Sequence, residues 1–211
     1  MISVLKAYLL EKLNQELPGK AAHIEAAPYR KVDFKKHELQ DAKESGVLVL
    51  FYSKDNEPYI ALMQRPTYEG KHSGQVSFPG GKRELNDETI IDTALREANE
   101  EVGIVIDDVE VIGQLSDVYI PVSNFHVTPI VGVIDYTPKF ILDDYEVEEL
   151  IELRLSDLTQ IEELELTKIT LPNSTILKTP SFVFNEKVVW GATALMLNEL
   201  RWLLRDYSKS L

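Results

Sequence analysis

The most constraining feature of the chain is residues 96–104, where three glutamates recur within one turn of a predicted helix. At about 100° per residue, the carboxylates of Glu97, Glu100 and Glu101 project from one side of this helix. The opposite side carries the apolar residues Ile91, Leu95, Ala98 and Val102. The pattern therefore predicts a helix that packs one face against a sheet and presents three acidic groups from the other.

Such a carboxylate cluster opposes helix formation unless something compensates for it. Like charges three and four residues apart repel each other by about a few tenths of a kcal/mol per pair. The cluster also lies close to Gly103, the predicted helix stop, and negative charge is unfavourable at a helix C-terminus. A divalent cation would reverse both penalties, since hard carboxylate oxygens suit Mg²⁺. A solvated acidic face is the alternative that the helix alone leaves open.

A glycine-rich loop over residues 65–83 precedes the helix. Gly80 and Gly81 permit close approach of the backbone to a ligand, and a carbonyl of this loop could complete the coordination of a metal. An acidic chain that binds an anionic substrate also needs positive charge near its site. The cations of the loop that could contact phosphate oxygens are Arg65, Lys71, Lys82 and Arg83.

The composition excludes several classes of function. The 211 residues include 22 Lys and Arg against 35 Asp and Glu, and the net charge of −13 argues against nonspecific nucleic-acid binding. The absence of cysteine excludes disulfides, zinc fingers and thiol catalysis, and it makes the cytoplasm the expected location. The longest apolar run, residues 47–52, is too short to span a membrane. We expect a single domain over residues 1–211.

Hydrophobic periodicity and turn residues predict the order of the elements. Helices are expected over residues 1–17, from a cap at Asn86 or Asp87 to Val102, and over residues 192–205. Strands are expected over residues 47–52, 59–63, 109–115, 127–134 and 150–155, followed by a hairpin within 175–190. Residues 18–45 are mixed and polar and are expected to form a loop with short structure. Strands interrupted by helices predict an α/β fold in which a mixed β-sheet is sandwiched between α-helices.

The segment that carries the glutamates resembles the Nudix box, whose pattern is G-x5-E-x7-R-E-U-x-E-E-x-G-U, with U a bulky aliphatic residue. The direct matches are Arg96, Glu97, Glu100, Glu101, Gly103 and Ile104. Counting back from Arg96 places the upstream glutamate of the pattern at Glu88, whereas Gly81 lies one residue before the position of the glycine. This offset leaves open which carbonyl of the loop faces a metal.

The resemblance implies a Nudix hydrolase, an enzyme that cleaves a nucleoside diphosphate linked to another moiety with Mg²⁺ or Mn²⁺. The implied metal-site residues are Glu97 and Glu101, Glu100 as a third ligand or water holder, the Gly81 carbonyl and, from a distal loop, Glu146. Arg96 and Glu88 are implied to form the pair that orients the helix. The general base stays open among Glu97, Glu100 and Glu146.

The sequence upstream of the box resembles the coenzyme A pyrophosphatase branch of this family. The signature of that branch, roughly L-L-T-x-R-[SA]-x3-R-x3-G-x3-F-P-G-G, is matched at Arg65, Gly74, Phe78, Pro79, Gly80 and Gly81. The sequence departs from it at Met63, Pro66 and Gly70. The resemblance implies hydrolysis of coenzyme A or acyl-coenzyme A to 3′,5′-ADP and a phosphopantetheine product. Candidate substrate contacts are Arg65, Lys71, His72, Gly80, Gly81, Lys82 and Phe125.

Two other functions fit the same sequence. A Nudix hydrolase that acts on ADP-ribose or a dinucleotide would use the same glutamates. A catalytically silent ligand-binding regulator is the other, and the complete set of glutamates disfavours it. The expected partner is a small nucleotide derivative, without nucleic acid or membrane, and the N-terminal helix is a candidate interface for a homodimer.

Overall fold

The structure is a computed structural model that describes residues 1–29, 39–67, 72–171 and 174–207. Its helices are α1 (Ile2–Leu13), α2 (Gly19–Ala26), α3 (Ile90–Val102), α4 (Leu155–Thr159) and α5 (Gly191–Leu203). Its strands are β1 (Lys43–Lys54), β2 (Glu57–Gln64), β3 (Val76–Ser77), β4 (Gly80–Lys82), β5 (Glu110–Gln114), β6 (Val118–Ile120), β7 (Phe125–Ile134), β8 (Glu149–Arg154), β9 (Glu165–Thr170), β10 (Ile176–Phe184) and β11 (Lys187–Val189).

Strand β1 is the centre of the main sheet, which has eight strands within the described ranges. It runs parallel to β7 and antiparallel to β2 and β4. The remaining strands extend the sheet from β2 through β3 and β8, and from β7 through β5 and β6. The sheet is therefore mixed, and with helices on both of its faces it confirms the predicted fold class.

The alternating side chains of β1 divide the core into two layers. Leu48 and Leu50 pack with the apolar face of α3, whereas Val49 and Phe51 pack with α1 and α5 on the other side of the sheet. All four side chains are fully buried. A strand that is covered on both faces has no polar alternation, which is why residues 47–52 form a continuous apolar run.

Helix α3 begins later than the sequence predicts. Thr89 is the N-cap rather than Asn86 or Asp87: its hydroxyl accepts from the Asp92 backbone N–H, and the Asp92 carboxylate accepts from the Thr89 N–H at 2.7 Å. This reciprocal capping box satisfies two of the free N–H groups at the start of the helix. Gly103, in a left-handed conformation, ends the helix as predicted.

The N-terminal region departs further from the prediction. Helix α1 stops at Leu13, short of the predicted residue 17, and α2 lies in the region expected to be loop with short structure, where no helix was specified. Polar contacts hold α2 against α5, because the buried Glu199 carboxylate accepts from His23 at 3.1 Å and Asn198 donates to the Ala22 carbonyl at 2.7 Å. Strand β9 was also not predicted, whereas β10 and β11 form the predicted hairpin.

None of the helices in the described part of the chain combines the length and apolar character needed to cross a membrane.

We predict that Gly46→Ala lowers the free energy of unfolding by about 1–3 kcal/mol, the usual effect of overpacking a core. A Cβ at this position of β1 would lie 2.6 Å from the Ile90 carbonyl oxygen and 3.0 Å from the Ala94 nitrogen, so α3 would have to move away from the sheet. Urea unfolding followed by circular dichroism measures the change. An unchanged free energy of unfolding would contradict this close packing.

Candidate active site

The carboxylate of Glu101 is buried where β4 meets α3, and its side chain is only 1% exposed. The Gly80 backbone N–H donates to Glu101 Oε2 at 2.7 Å. Arg65, which directly follows β2, places Nη2 at 3.1 Å from Glu101 Oε1 and at 3.1 Å from the Gly80 carbonyl oxygen. Glu101, Gly80 and Arg65 therefore form a closed ring of contacts that fixes both carboxylate oxygens.

Glu97 lies one turn earlier on α3 and fills the space beside Gly81. A Cβ added to Gly81 would lie 2.3 Å from Glu97 Oε2 and 2.4 Å from its Cδ, so the Glu97 carboxylate would have to move away. Glu97 Oε1 accepts from Arg96 Nη2 at 2.9 Å, and the side chain is 15% exposed. The glycine at position 81 is therefore what allows this carboxylate to lie against the loop.

Glu100 is the most exposed of the three glutamates. Its side chain is 56% exposed and accepts from Arg96 Nη1 at 2.9 Å. The predicted cluster is thus unequal, with Glu101 buried, Glu97 partly buried and Glu100 at the rim. Within the described ranges, no three acidic or histidine side chains already converge closely enough to hold a metal ion.

Burial dominates the electrostatics of the two inner carboxylates. Burial, with smaller contributions from the charges of Glu97 and Glu146, raises the pKa of Glu101 to about 7 against the opposing effect of Arg65 and the Gly80 N–H. Burial also raises the pKa of Glu97, to which Glu100 and Glu146 contribute, although Arg96 opposes it. A bound cation would favour the charged form of both carboxylates.

Glu146 lies near these carboxylates because its loop is tied to both α3 and β2. The backbone N–H of Asp143 donates to the Glu101 carbonyl at 3.0 Å, and that of Glu148 donates to the Gln64 carbonyl at 2.9 Å. The Asp143 carboxylate accepts from the Glu146 N–H at 3.0 Å. The structure thus places this predicted distal carboxylate, which is exposed, at the site; its role stays a prediction.

The predicted pairing of Arg96 with Glu88 is wrong. Arg96 instead contacts the buried Asp87, with Nε at 2.9 Å from Oδ1 and Nη2 at 3.1 Å from Oδ2, while Glu88 is exposed. The Asp87 carboxylate also accepts from the Thr93 hydroxyl at 2.9 Å. The Arg96 guanidinium holds the pKa of Asp87 well below its usual value. Skipping five residues after Gly81, as the pattern does, rather than counting back from Arg96, would have led to Asp87.

The oxygens that line the site fit a hard divalent cation. Glu97 and Glu101 supply carboxylates, and the Gly80 carbonyl shares the Arg65 guanidinium with Glu101. The Gly81 carbonyl instead accepts from the Ser45 hydroxyl at 2.6 Å. Carboxylate and carbonyl oxygens are the ligands that Mg²⁺ and Mn²⁺ favour.

The other predicted substrate contacts occupy varied positions. Lys82 is exposed, and its carbonyl accepts from Arg96 Nη2 at 3.2 Å. His72 has a left-handed backbone, with its ring Nδ1 at 3.1 Å from Gln75 Oε1. The Phe125 ring begins β7 beneath the Lys43 ammonium, at 5.8 Å from the ring centroid. Lys71 lies outside the described residues, and the roles of all these residues stay predictions.

Comparisons with known proteins find similarity to one family. A family model described as the NUDIX domain matches residues 42–176. The chain is 37% identical over 152 residues to an uncharacterized Nudix hydrolase, NudL, of Pectobacterium atrosepticum, which covers 71% of this chain and 77% of that protein. A protein of the same name from Yersinia pestis is 36% identical over 147 residues, or 68% of this chain and 71% of that protein.

A similarity to a solved structure supports the fold. The crystal structure of RenU, a Nudix hydrolase from M. smegmatis, superposes with a TM-score of 0.50 at 14% identity, over 80% of this chain and 88% of that one.

We predict that Asp87→Ala destabilises the protein by on the order of 3 kcal/mol, because it leaves the partly buried Arg96 guanidinium without its main partner. The matched change Glu88→Ala removes an exposed carboxylate and should stay within about 0.5 kcal/mol of the wild type. Urea unfolding measures both variants. Equal destabilisation by the two changes would contradict the pairing of Arg96 with Asp87.

We predict that Glu101→Gln becomes more stable relative to the wild type as the pH rises from about 5 to about 8 in EDTA. The pKa of Glu101 is raised from 4.5 to about 7 on folding, so the folded state holds its proton more tightly. That contribution to stability is present at low pH and is lost as the pH rises through the folded pKa, by up to about 3 kcal/mol. Urea unfolding at both pH values measures the difference, and a constant or shrinking difference would contradict the prediction.

Proposed function

The chain belongs to the Nudix hydrolase family, and on this premise we propose that it hydrolyses the pyrophosphate bond of coenzyme A or an acyl-coenzyme A. Water adds across the P–O–P linkage, so that one product is 3′,5′-ADP and the other is the phosphopantetheine or its acylated form. The observation that carries the proposal is the convergence of Glu97, Glu101 and the Gly80 carbonyl where the glycine loop meets α3.

The residues proposed to hold a divalent metal are Glu97, Glu101 and the Gly80 carbonyl, with Glu100 and Glu146 at the rim. When bound, Mg²⁺ or Mn²⁺ lowers the pKa of a water molecule and neutralises charge on the transferring phosphoryl group. The acceptor of the water proton is one of Glu97, Glu100 and Glu146.

The preference for coenzyme A rests on the segment that shapes the site. Arg65, Gly74 and Gly80 are positions of the coenzyme A pyrophosphatase signature. In this chain their backbone groups form hydrogen bonds that shape the site. The Arg65 N–H donates to the Gln75 carbonyl at 3.0 Å, and the Gly74 N–H donates to the Pro66 carbonyl at 3.1 Å. These contacts hold Gly74 and Gln75 against Arg65 and Pro66, and Arg65 reaches Glu101 from this position.

A substrate panel tests the proposal. The protein is incubated with Mg²⁺ or Mn²⁺ and with coenzyme A, acetyl-coenzyme A, ADP-ribose or a diadenosine polyphosphate, and the products are identified by mass spectrometry. We expect 3′,5′-ADP from both coenzyme A substrates. Turnover of ADP-ribose or the dinucleotide alone would overturn the substrate assignment, and no turnover of any member would overturn the catalytic proposal.

We predict that Glu101→Gln lowers kcat by at least about a hundredfold, since it removes a carboxylate charge from the site. The matched control is Glu84→Gln, which neutralises an exposed glutamate in the loop between β4 and α3 and should keep wild-type activity. Steady-state kinetics measure both variants. In parallel, Mn²⁺ should raise the melting temperature of the wild type and of Glu84→Gln but not that of Glu101→Gln. Full activity of Glu101→Gln would contradict the site.

A further inference from the structure

Arg65 is the only cation in ion-pair contact with the Glu101 carboxylate within the described part of the chain. Its Nη2 lies at equal distances of 3.1 Å from Glu101 Oε1 and from the Gly80 carbonyl oxygen. Its own backbone is fixed, because the Arg65 N–H donates to the Gln75 carbonyl. The guanidinium therefore bridges one carboxylate oxygen and one carbonyl oxygen at the centre of the site.

These two oxygens are the ones to which the proposed function assigns the divalent metal. A metal ion in contact with either oxygen would lie next to the guanidinium, and the two positive charges would repel in a region from which water is largely excluded. Glu101 offers little room for both cations, since its side chain is 1% exposed and its Oε2 already accepts from the Gly80 N–H. Arg65 and the metal therefore compete for the same oxygens.

The rest of the Arg65 guanidinium is available for another partner. Its Nε and Nη1 donate to no acceptor among the described residues, and 25% of its side chain is exposed. A planar guanidinium is well suited to bidentate contact with phosphate oxygens. The phosphate oxygens of a pyrophosphate at the metal would thus replace Glu101 Oε1 and the Gly80 carbonyl oxygen as acceptors for Arg65.

We propose that Arg65 is a positioning residue that holds Glu101 and the Gly80 carbonyl in the metal-free protein and exchanges these oxygens for the phosphates of the substrate when the metal binds. The inference rests on the proposed function, because it takes Glu101 as a metal ligand. Its consequence is that Arg65 weakens metal binding in the absence of nucleotide and strengthens nucleotide binding in the presence of metal. Metal and nucleotide are then coupled through one side chain, and the coupling is reciprocal.

Binding of Mn²⁺ alone to Arg65→Gln tests the exchange. Glutamine removes the positive charge and keeps an amide donor for Glu101. We expect Mn²⁺, monitored by electron paramagnetic resonance of the free ion, to bind the variant at least about fivefold more tightly than the wild type. We expect ADP to bind the Mn²⁺-loaded variant at least about fivefold more weakly, as measured by calorimetry.

Two further variants separate the exchange from simpler effects. Arg154→Gln, at an exposed arginine paired with Glu57, makes the same change in net charge and should leave Mn²⁺ affinity unchanged. Arg65→Lys keeps the charge but not the planar fork, so it should keep wild-type Mn²⁺ affinity and lose ADP affinity. Circular dichroism and thermal unfolding establish that each variant is folded. If Arg65→Gln does not fold, Arg65→Met, which also removes the charge, takes its place with the same expected changes in Mn²⁺ and ADP affinity.

The outcomes distinguish this inference from the proposed function. Weaker Mn²⁺ binding by Arg65→Gln would show that Arg65 only supports Glu101, and unchanged Mn²⁺ binding with weaker ADP binding would show that it only contacts phosphate. Either result overturns the exchange and leaves the hydrolase proposal intact. Failure of the wild type to bind Mn²⁺ in either the absence or presence of ADP would overturn the metal site itself, and the exchange with it.

Discussion

The burial of the Glu101 carboxylate is the constraint on which the rest of the site depends. A carboxylate removed from water is costly unless its oxygens find donors, and here the Gly80 N–H and Arg65 supply them. This requires β4 to lie directly beside α3. Gly80 makes the pairing of β4 with β1 possible, because it has φ 151° and a Cβ there would lie 2.4 Å from the Gly46 carbonyl oxygen. The chemistry of the site and the packing of helix on sheet are therefore set by the same contacts.

The pair formed by Arg96 and Asp87 fixes the orientation of the helix at a second point. Arg96 spans from Asp87 to Glu97 and Glu100 and also donates to the Lys82 carbonyl. One guanidinium thus links the end of β4, the loop that follows it and the exposed side of α3. The rotation of α3 about its axis is set on one side by Glu101 and on the other by Arg96, so the three glutamates have distinct exposures and hence distinct chemistry.

The sequence predicted the parts of this arrangement that depend on local spacing. The position of the three glutamates on one side of a helix, the helix stop at Gly103 and the strand over residues 47–52 all follow from patterns over a few residues. The burial of Glu101 does not, since a helical wheel places it only about 40° from Glu97, between the polar side and the apolar stripe. Its depth depends on how closely α3 approaches the sheet, which is decided by Gly46, a residue far away along the chain.

Non-local polar contacts account for the position of helix α2. Helix α2 has no strong apolar stripe, and its position is set by contact with Glu199 and Asn198 of α5, more than 170 residues later. Ile91 belongs to the predicted apolar side of α3 but is 36% exposed, because Ala94 and Ala98 form the face that meets β1. Small side chains allow the helix to approach the sheet most closely. The large apolar side chain of Ile91 was therefore a wrong indication of the face that meets β1.

The charge of the whole chain and the charge of the site impose opposite requirements. A net charge of −13 repels an anionic substrate at a distance, but at physiological ionic strength this field is screened within about 8 Å. Binding is therefore governed by the groups in direct contact with the phosphates. There, the acidic groups of Glu97, Glu101 and Glu146 lie near the guanidinium groups of Arg65 and Arg96. Under the proposed function a divalent cation adds positive charge to this site, so the acidity of the site favours the metal–substrate complex over either component alone.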